Sequence, residues 1–277
     1  MSRRALVTGA SRGIGRATCR ALADAGWQVV AGVRDLESGV ETFASQDAVK
    51  VVHLDVTDRA TIDAAVAEVE AEGPLDCLVN NAGYAMFAAT EEADLDEARA
   101  MFDTNFFGAL ATTQAAMPLL RASKGVVVNV SSIGARASTP FVGLYLATKG
   151  AMRSASESLA IEVAPHGVRV VMIEPGMVAT EFPLATKRSG PATEGEGPYA
   201  ESVVDLIAAF GRWRERNNTT PETVAAAIVD ALGQSPPPFM VPVGEDADQL
   251  ASLRSSSTDR EMLEHAISFL GLDIQLP

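Results

Sequence analysis

Short runs of Val, Ile, Leu and Ala, each followed by a helical pattern, constrain this chain more than any other feature. The runs are Ala5–Thr8, Gln28–Ala31, Lys50–Leu54, Leu75–Val79, Val126–Val130 and Val168–Ile173. Between them lie helical stretches up to Gly26, around Val40, from Asp58 to Glu72, from about Asp94 and from about Val142. Asp58 is placed to cap its helix, and Ile62, Ala65, Val66 and Val69 share one face of it. The strands are nearly continuous in apolar residues rather than alternating, so both faces of their sheet must be covered. The expected fold is α/β: a single-domain Rossmann-type, doubly wound parallel sheet with helices on both faces. A chain of 277 residues with 47% hydrophobic and 21% charged residues suits one large core, and with no convincing linker, residues 1–277 read as one domain.

The pattern loosens after Gly176. Residues 182–218 are rich in Gly, Pro, Thr and charge, yet carry Phe182, Tyr199, Phe210 and Trp213. They read as a mobile excursion with short helices, a substrate lid after the sixth strand, since long loops of compact α/β folds tend to be functional. Pro221 opens a further helix through Ala231, and Phe239–Val243 offers an edge strand that tolerates Pro242. Residues 245–277 form a C-terminal extension.

With 22 Lys and Arg against 36 Asp and Glu, the formal charge is −14. That argues against nucleic acid or anionic membrane as partners. The first twenty residues hold five arginines and no acid, the composition of a transit peptide, but they also hold a glycine motif that a removable peptide would not need. The uncharged stretch from Thr104 to Leu120 contains Asn105, Gln114 and Pro118, too polar for a membrane span. Two cysteines, Cys19 and Cys77, and three scattered histidines give neither a disulfide framework nor zinc spacing. A reduced, cytoplasmic setting and no metal are expected.

The glycine motif follows the first strand as Thr8-Gly9-Ala10-Ser11-Arg12-Gly13-Ile14-Gly15 and leads into a helix. Glycines there allow a tight turn and a close approach of backbone to a pyrophosphate, while the helix start supplies N–H groups and a positive dipole. A purely structural turn is the alternative. At the end of the second strand Val33 stands where an acid would bind the adenosine ribose, and Arg34 follows. Arg34 and Arg12 can meet a 2′-phosphate, which favours NADP(H) over NAD(H); a solvated surface arginine is the ordinary alternative for each.

Taken in order, the motif Thr8–Gly15, Leu54-Asp55-Val56, Asn80-Asn81-Ala82-Gly83, Asn105, Val130-Ser131-Ser132, Tyr145-x-x-x-Lys149 and Glu174-Pro175-Gly176 resemble the short-chain dehydrogenase/reductase family from residue 4 to about 180. Tyr145 and Lys149, four apart, share a helix face. The resemblance implies hydride transfer between nicotinamide and a ketone or secondary alcohol. In it Tyr145 is the proton donor, Ser132 the hydrogen-bond donor to the same oxygen, Lys149 the holder of the nicotinamide ribose and Asn105 the holder of a relay water. Ser132 and Tyr145 would touch substrate, and a nearby Lys149 ammonium would favour the Tyr145 phenolate.

The resemblance further implies that the cofactor is held by Gly9, Ser11, Arg12, Gly13, Ile14, Gly15, Arg34, Asp55, Val56, Asn81, Ala82, Gly83, Tyr145, Lys149, Pro175, Gly176 and Thr180. Asp55 would meet the adenine amino group, and Pro175, Gly176 and Thr180 the carboxamide end. Asn80 reads as a bridge between strands. Glu174 and the tail resemble members acting on steroids, retinoids and other bulky ketones or alcohols, the subgroup of 17-beta-hydroxysteroid and retinol-type dehydrogenases and carbonyl reductases. The alternatives are a 3-oxoacyl-carrier-protein reductase and a non-catalytic NADP(H)-sensing regulator. Tyr84–Phe87, Ile133–Phe141 and the stretch from Met177 are expected to wall an apolar small-molecule site, with Arg136 the lone charge in the second. Surplus apolar surface on the helices at 95–120 and 142–163 suggests a homodimer or homotetramer.

Overall fold

The computed structural model describes residues 2–180, 186–216, 219–272 and 274–276. Nine strands and ten α-helices are described. In chain order they are β1 (Arg4–Thr8), α1 (Gly13–Asp24), β2 (Gln28–Val33), α2 (Leu36–Phe43), β3 (Val49–His53), α3 (Arg59–Glu72), β4 (Cys77–Asn80), β5 (Met86–Phe87) and α4 (Leu95–Phe102). Then come α5 (Gly108–Ser123), β6 (Val126–Val130), α6 (Gly143–Val163), β7 (Arg169–Pro175), β8 (Lys187–Arg188), α7 (Ala200–Arg216), α8 (Pro221–Gly233), β9 (Met240–Val243), α9 (Glu245–Ser256) and α10 (Asp259–Leu270). Seven strands make one all-parallel sheet in the order β3-β2-β1-β4-β6-β7-β9, and β5 pairs with β8 apart from it.

The doubly wound sheet follows from its strands. On one face Cys19 and Leu22 of α1, Phe43 of α2 and Val224, Ile228 and Leu232 of α8 pack onto Val7, Val29, Val79 and Val128. On the other, Ile62 and Val66 of α3, Ala116 and Leu120 of α5 and Val163 of α6 pack onto Leu6, Val30, Leu78 and Val127. Successive residues of a strand thus feed opposite cores, which is why no strand alternates in polarity. The order reverses between β1 and β4, and the crevice beyond the carboxyl ends of the strands at such a reversal is where this architecture binds ligands.

Local signals set the helix starts. Asp58 accepts from the Ala60 N–H at 2.9 Å, and Thr220 forms a reciprocal capping box with Thr223 ahead of Pro221. β9 lies at the sheet edge beside β7, where Pro242 removes no ladder bond that a further strand would need.

Two expectations are refined. The stretch from Thr104 is helical, with a π-helical turn over Asp103–Phe107 that carries Asn105 and joins α4 to α5. The excursion after β7 holds, among its described residues, the 17-residue α7 rather than short helices alone. The Val33 side chain, at the end of β2, is buried against the Gly39 backbone, where a Cβ would lie 2.7 Å from Val33 Cγ2. Phe182, also expected in the lid, lies outside the described residues. Among the described residues no helix is long and apolar enough to cross a membrane, and no group of three or more His, Cys, Asp and Glu could hold a metal ion.

Candidate active site

The strand ends gather the site. Gly9 to Gly15 follow β1, Arg34 follows β2, Asp55 and Val56 follow β3, Asn81 to Gly83 follow β4, Ser132 follows β6, and Pro175 closes β7 with Gly176 and Thr180 beyond it. Because the strands are parallel, all of these lie at the carboxyl edge of the sheet.

The glycine turn is locked by side chains from β1 and β4. Gly9 has φ +63°, and a Cβ there would sit 2.8 Å from Ala82 Cα. A Cβ on Gly15 would collide with the Gly9 carbonyl oxygen and Asn81 Nδ2. Asn81 Nδ2 donates to the Thr8 and Gly9 carbonyls at 3.0 and 3.1 Å, and Thr8 Oγ1 accepts from the N–H groups of Asn81 and Ala82 at 3.0 and 3.1 Å. Only glycine fits these two positions, so Ser11, Arg12, Gly13 and Ile14 are presented as a tight crossing into α1. Arg12 occupies the position just before α1 with no side-chain cap on the first N–H groups, and both Arg12 and Arg34 are exposed.

Asp55 is set by Thr57, whose N–H and hydroxyl both donate to its Oδ1 at 2.9 and 2.7 Å. Partial burial pushes the carboxyl up, but the two Thr57 bonds and the positive Arg34 and His53 outweigh it, so Asp55 lies below the usual carboxylate range. Val56 is buried against Gly108 at the start of α5.

Ser132, Tyr145 and Lys149 come together at the ends of β6 and α6. Ser132 Oγ accepts from the Gly134 N–H at 3.1 Å and shares a hydrogen bond with the Tyr145 hydroxyl. Gly134 lies so close to α6 that a Cβ there would be 2.5 Å from Leu146 Cδ2, which holds the serine loop against the helix bearing Tyr145. Lys149 is buried, and its Nζ donates to the Val130 carbonyl at 3.0 Å and lies 5.8 Å from the Tyr145 ring centre. Burial pushes the tyrosine above the ordinary phenol range, and the Ser132 bond opposes it only in part. Burial thus works against the phenolate that the resemblance has Lys149 and the positive nicotinamide favour together. Burial also lowers Lys149 to about 8.

Asn105 joins this cluster through the π turn, but its side chain is occupied. Its Oδ1 accepts from the Tyr84 N–H at 3.0 Å, and its Nδ2 donates to the Tyr84 carbonyl at 2.8 Å and to Thr148 Oγ1 at 3.1 Å. A Cβ on Gly83 would lie 3.0 Å from Asn105 Oδ1 and 3.8 Å from Lys149 Nζ, so the β4 turn, the π turn and α6 converge on one point. Asn80 bridges the strands as read, donating to Asn129 Oδ1 at 2.8 Å and Thr113 Oγ1 at 2.9 Å.

Three residues of this edge were not singled out from sequence. Thr8 is the hydroxyl that ties β1 to β4. Thr148 couples Tyr145 to Asn105, its hydroxyl donating to the Tyr145 carbonyl at 2.7 Å. Asp246, in the first turn of α9, accepts from the Met177 N–H at 2.8 Å and fills the space a Cβ on Gly176 would need.

The charge expected in the second wall is turned away from it. Arg136 Nε donates at 2.7 Å to Oε2 of Glu174, which is 0% exposed, and Arg136 Nη2 reaches Met240 Sδ at 3.1 Å. Phe141, two-thirds of the way from Ser132 to Tyr145, takes φ +61°, strained for an aromatic residue. Its ring meets Tyr199 edge-on at 6.0 Å, while Phe87 meets Phe210 at 5.7 Å and Phe210 stacks on Trp213 at 5.8 Å.

A parallel sheet with a locked glycine turn at its reversal point and a Ser-Tyr-Lys cluster one strand over defines a class: the chain belongs to the short-chain dehydrogenase family, a family of oxidoreductases, whose model matches residues 3–189. It is 31% identical over 264 residues, 95% of each chain, to the 3-ketodihydrosphingosine reductase of Bacteroides thetaiotaomicron. Among solved structures it resembles a short-chain dehydrogenase of Streptomyces avermitilis at 35% identity, with TM-score 0.81 over 99% of both chains. A short-chain dehydrogenase of Burkholderia cenocepacia in complex with NADP aligns with TM-score 0.74 at 28% identity over 96% of both chains.

Proposed function

We propose that this protein is an NADP(H)-dependent oxidoreductase that interconverts a ketone and a secondary alcohol on a mainly apolar small molecule. The observation that carries this reading is the half-buried Tyr145 phenol hydrogen-bonded to Ser132 beside a buried Lys149.

The residues fit a dinucleotide. Two glycine positions would be filled by any side chain, Arg12 and Arg34 stand exposed at the ends of β1 and β2, and Lys149 spends one of its three donors on Val130. NADPH, when bound, supplies the hydride. Arg34 and Arg12 hold the 2′-phosphate, Asp55 the adenine, Lys149 the nicotinamide ribose, and Pro175, Gly176 and Thr180 the carboxamide end. The Burkholderia relative is a complex with NADP, which supports the same cofactor here.

In reduction Ser132 hydrogen-bonds the carbonyl oxygen and Tyr145 delivers its proton there as charge develops. Burial favours the protonated phenol, the form that step uses. An apolar substrate is supported by the apolar residues near the cluster: Met86 packs with Tyr84 and Tyr145, Phe87 and Phe141 pack with Phe210 of α7, and Arg136 is paired with Glu174. The Bacteroides relative is named as the reductase of a ketone. The exposed apolar residues of α4, the π turn and α6 support a homodimer or homotetramer.

The test measures oxidation of NADPH with ketones of rising apolar size and, separately, with acyl thioesters on carrier protein at low and high salt. Apolar walls gain about 25 cal/mol per Å² of buried ligand, so efficiency rises with ketone size until the site is full. Tyr145→Phe lowers turnover by roughly 10²–10⁴-fold and leaves NADPH affinity nearly intact. Better efficiency on carrier-bound substrates, declining with salt, would establish the carrier-protein reductase instead. NADPH binding with no turnover on any member would leave a sensor.

A further inference from the structure

We propose that Asp246 is a positioning residue: one carboxylate of the C-terminal extension fastens the loop leaving β7, the excursion helix α7 and the tail helix α9 into a single joint behind the nicotinamide end of the site. The inference rests on the proposed cofactor reading for its catalytic consequence, though not for its geometry.

Asp246 lies in the first turn of α9, 69 residues beyond its partner Met177, and is half-buried. Oδ2 accepts from the Met177 N–H at 2.8 Å, and Oδ1 accepts from the Ala247 N–H at 2.9 Å. The Trp213 side chain of α7 lies beside the carboxylate and favours its charged form. Gly176 is the one residue type that admits it, because a Cβ there would overlap all three atoms of the carboxyl group. Gly244, at φ +110°, makes the turn that delivers it, and a Cβ on Gly244 would lie 2.8 Å from Asp246 Oδ1 and 2.6 Å from Thr219 Oγ1.

Backbone bonds close the joint around it. Gly176 N–H donates to the Val243 carbonyl and Ala179 N–H to the Thr219 carbonyl, each at 3.0 Å. Met177–Ala179 on one side of the excursion and Thr219 on the other therefore meet at the strand-to-helix turn of the tail. None of these hydrogen bonds involves Tyr145, Ser132 or Lys149. What it fixes is the main chain of Pro175-Gly176-Met177, the segment proposed to receive the carboxamide, and the root of the helix whose aromatics lie against Phe87 and Phe141.

The joint predicts a separation of effects. Asp246→Ala removes the acceptor, so the β7 loop and α7 lose their common tether while the proton-transfer residues stay put. NADPH affinity falls on the order of tenfold, the loss that follows when hydrogen bonds to a charged group are removed. The pH profile of turnover at saturating NADPH keeps its shape. Asp246→Asn retains an acceptor oxygen for Met177 and falls between the two. Trypsin reads the tether without any cofactor, because Lys187, Arg188, Arg212, Arg214 and Arg216 are all exposed in the excursion. Cutting there is faster in Asp246→Ala than in the unaltered protein, with Asp246→Asn intermediate. A Trp27→Phe background leaves Trp213 as the sole indole of the chain, and its emission shifts when Asp246 is replaced.

Circular dichroism establishes that each variant is folded before it is scored. If Asp246→Ala is folded, with unchanged trypsin cutting and Trp213 emission, the joint does not exist. If cutting and emission change but NADPH affinity stays within twofold, Asp246 does not position the site. Should the unaltered protein fail to bind NADPH, the cofactor reading falls, while the trypsin and emission results still decide the joint.

Discussion

Lys149 shows how one buried residue ties folding to function. An ammonium with one carbonyl bond and little solvent is disfavoured, and burial lowers it from 10.5 to about 8. Between those values the unfolded chain holds a proton that the folded chain does not, so stability rises with pH across that window and the penalty is complete below pH 8. Without added cofactor, Lys149→Met is expected to be more stable than the unaltered protein by roughly 3 kcal/mol at pH 7, a gap that closes toward pH 10.5. Urea unfolding of both proteins across that range checks it, and a gap independent of pH would show that Lys149 is not strained by burial. The same variant loses cofactor affinity under the proposed function, so stability and binding move in opposite directions. Arg34 makes the converse case, a charge exposed at the end of β2. Arg34→Ala is expected to weaken NADPH binding by about 1.5–3 kcal/mol and NADH binding little, and equal losses for both cofactors in titration would remove it from the 2′-phosphate. At Val33 an acid would be buried against α2 and would cost stability.

Elements were legible from sequence where a local rule governs them. The six apolar runs became the six strands β1, β2, β3, β4, β6 and β7 because a strand covered on both faces can be nothing else, and Asp58 and Thr220 cap as their types dictate. Tyr145 and Lys149 share a face of α6 because four residues make about one turn. What could not be read depends on contacts between distant segments. The π turn at Asp103–Phe107 is fixed by Asn105 holding Tyr84, 21 residues away, which no helical period records. Asp246 reads as one more acid at a helix start. Arg136 looked like a charge in an apolar wall because Glu174, 38 residues on, is recognisable as its partner only once β6 and β7 are neighbours. That pair gives an element-scale prediction. Glu174 is fully buried and its other basic neighbour, Arg153, stands 4.0 Å away, so Arg136→Leu strands a carboxylate at the end of β7. The expected cost is about 3–5 kcal/mol, largely recovered in the double variant Arg136→Leu/Glu174→Leu. A single-variant cost below about 1 kcal/mol in chemical denaturation would mean that the pair behaves like a surface bridge.

At the scale of the whole molecule, the sheet hides an apolar face of its flanking helices, while a few large apolar side chains stay uncovered. Leu95 of α4 is 59% exposed, Phe107 of the π turn 54% and Ile161 of α6 77%, on three elements that pack against one another. The segment from Thr104 to Leu120 adds no charge that would keep this side hydrated. A chain of net charge −14 resists nonspecific association, so exposed apolar residues on these neighbouring elements fit a specific partner, most simply a second copy related by a twofold axis. Such an interface must bury at least ~1,000 Å² in total to hold. The expectation is a dimer or tetramer at micromolar concentration, read as a multiple of the chain mass by light scattering. Replacing Phe107 with Glu and Ile161 with Lys shifts that mass toward the monomer. Those substitutions lie outside the Ser132, Tyr145 and Lys149 cluster, so NADPH affinity per chain stays within a few-fold if the variant remains folded. A monomeric unaltered protein at that concentration would remove the interface, and an oligomer indifferent to both substitutions would move it to another face.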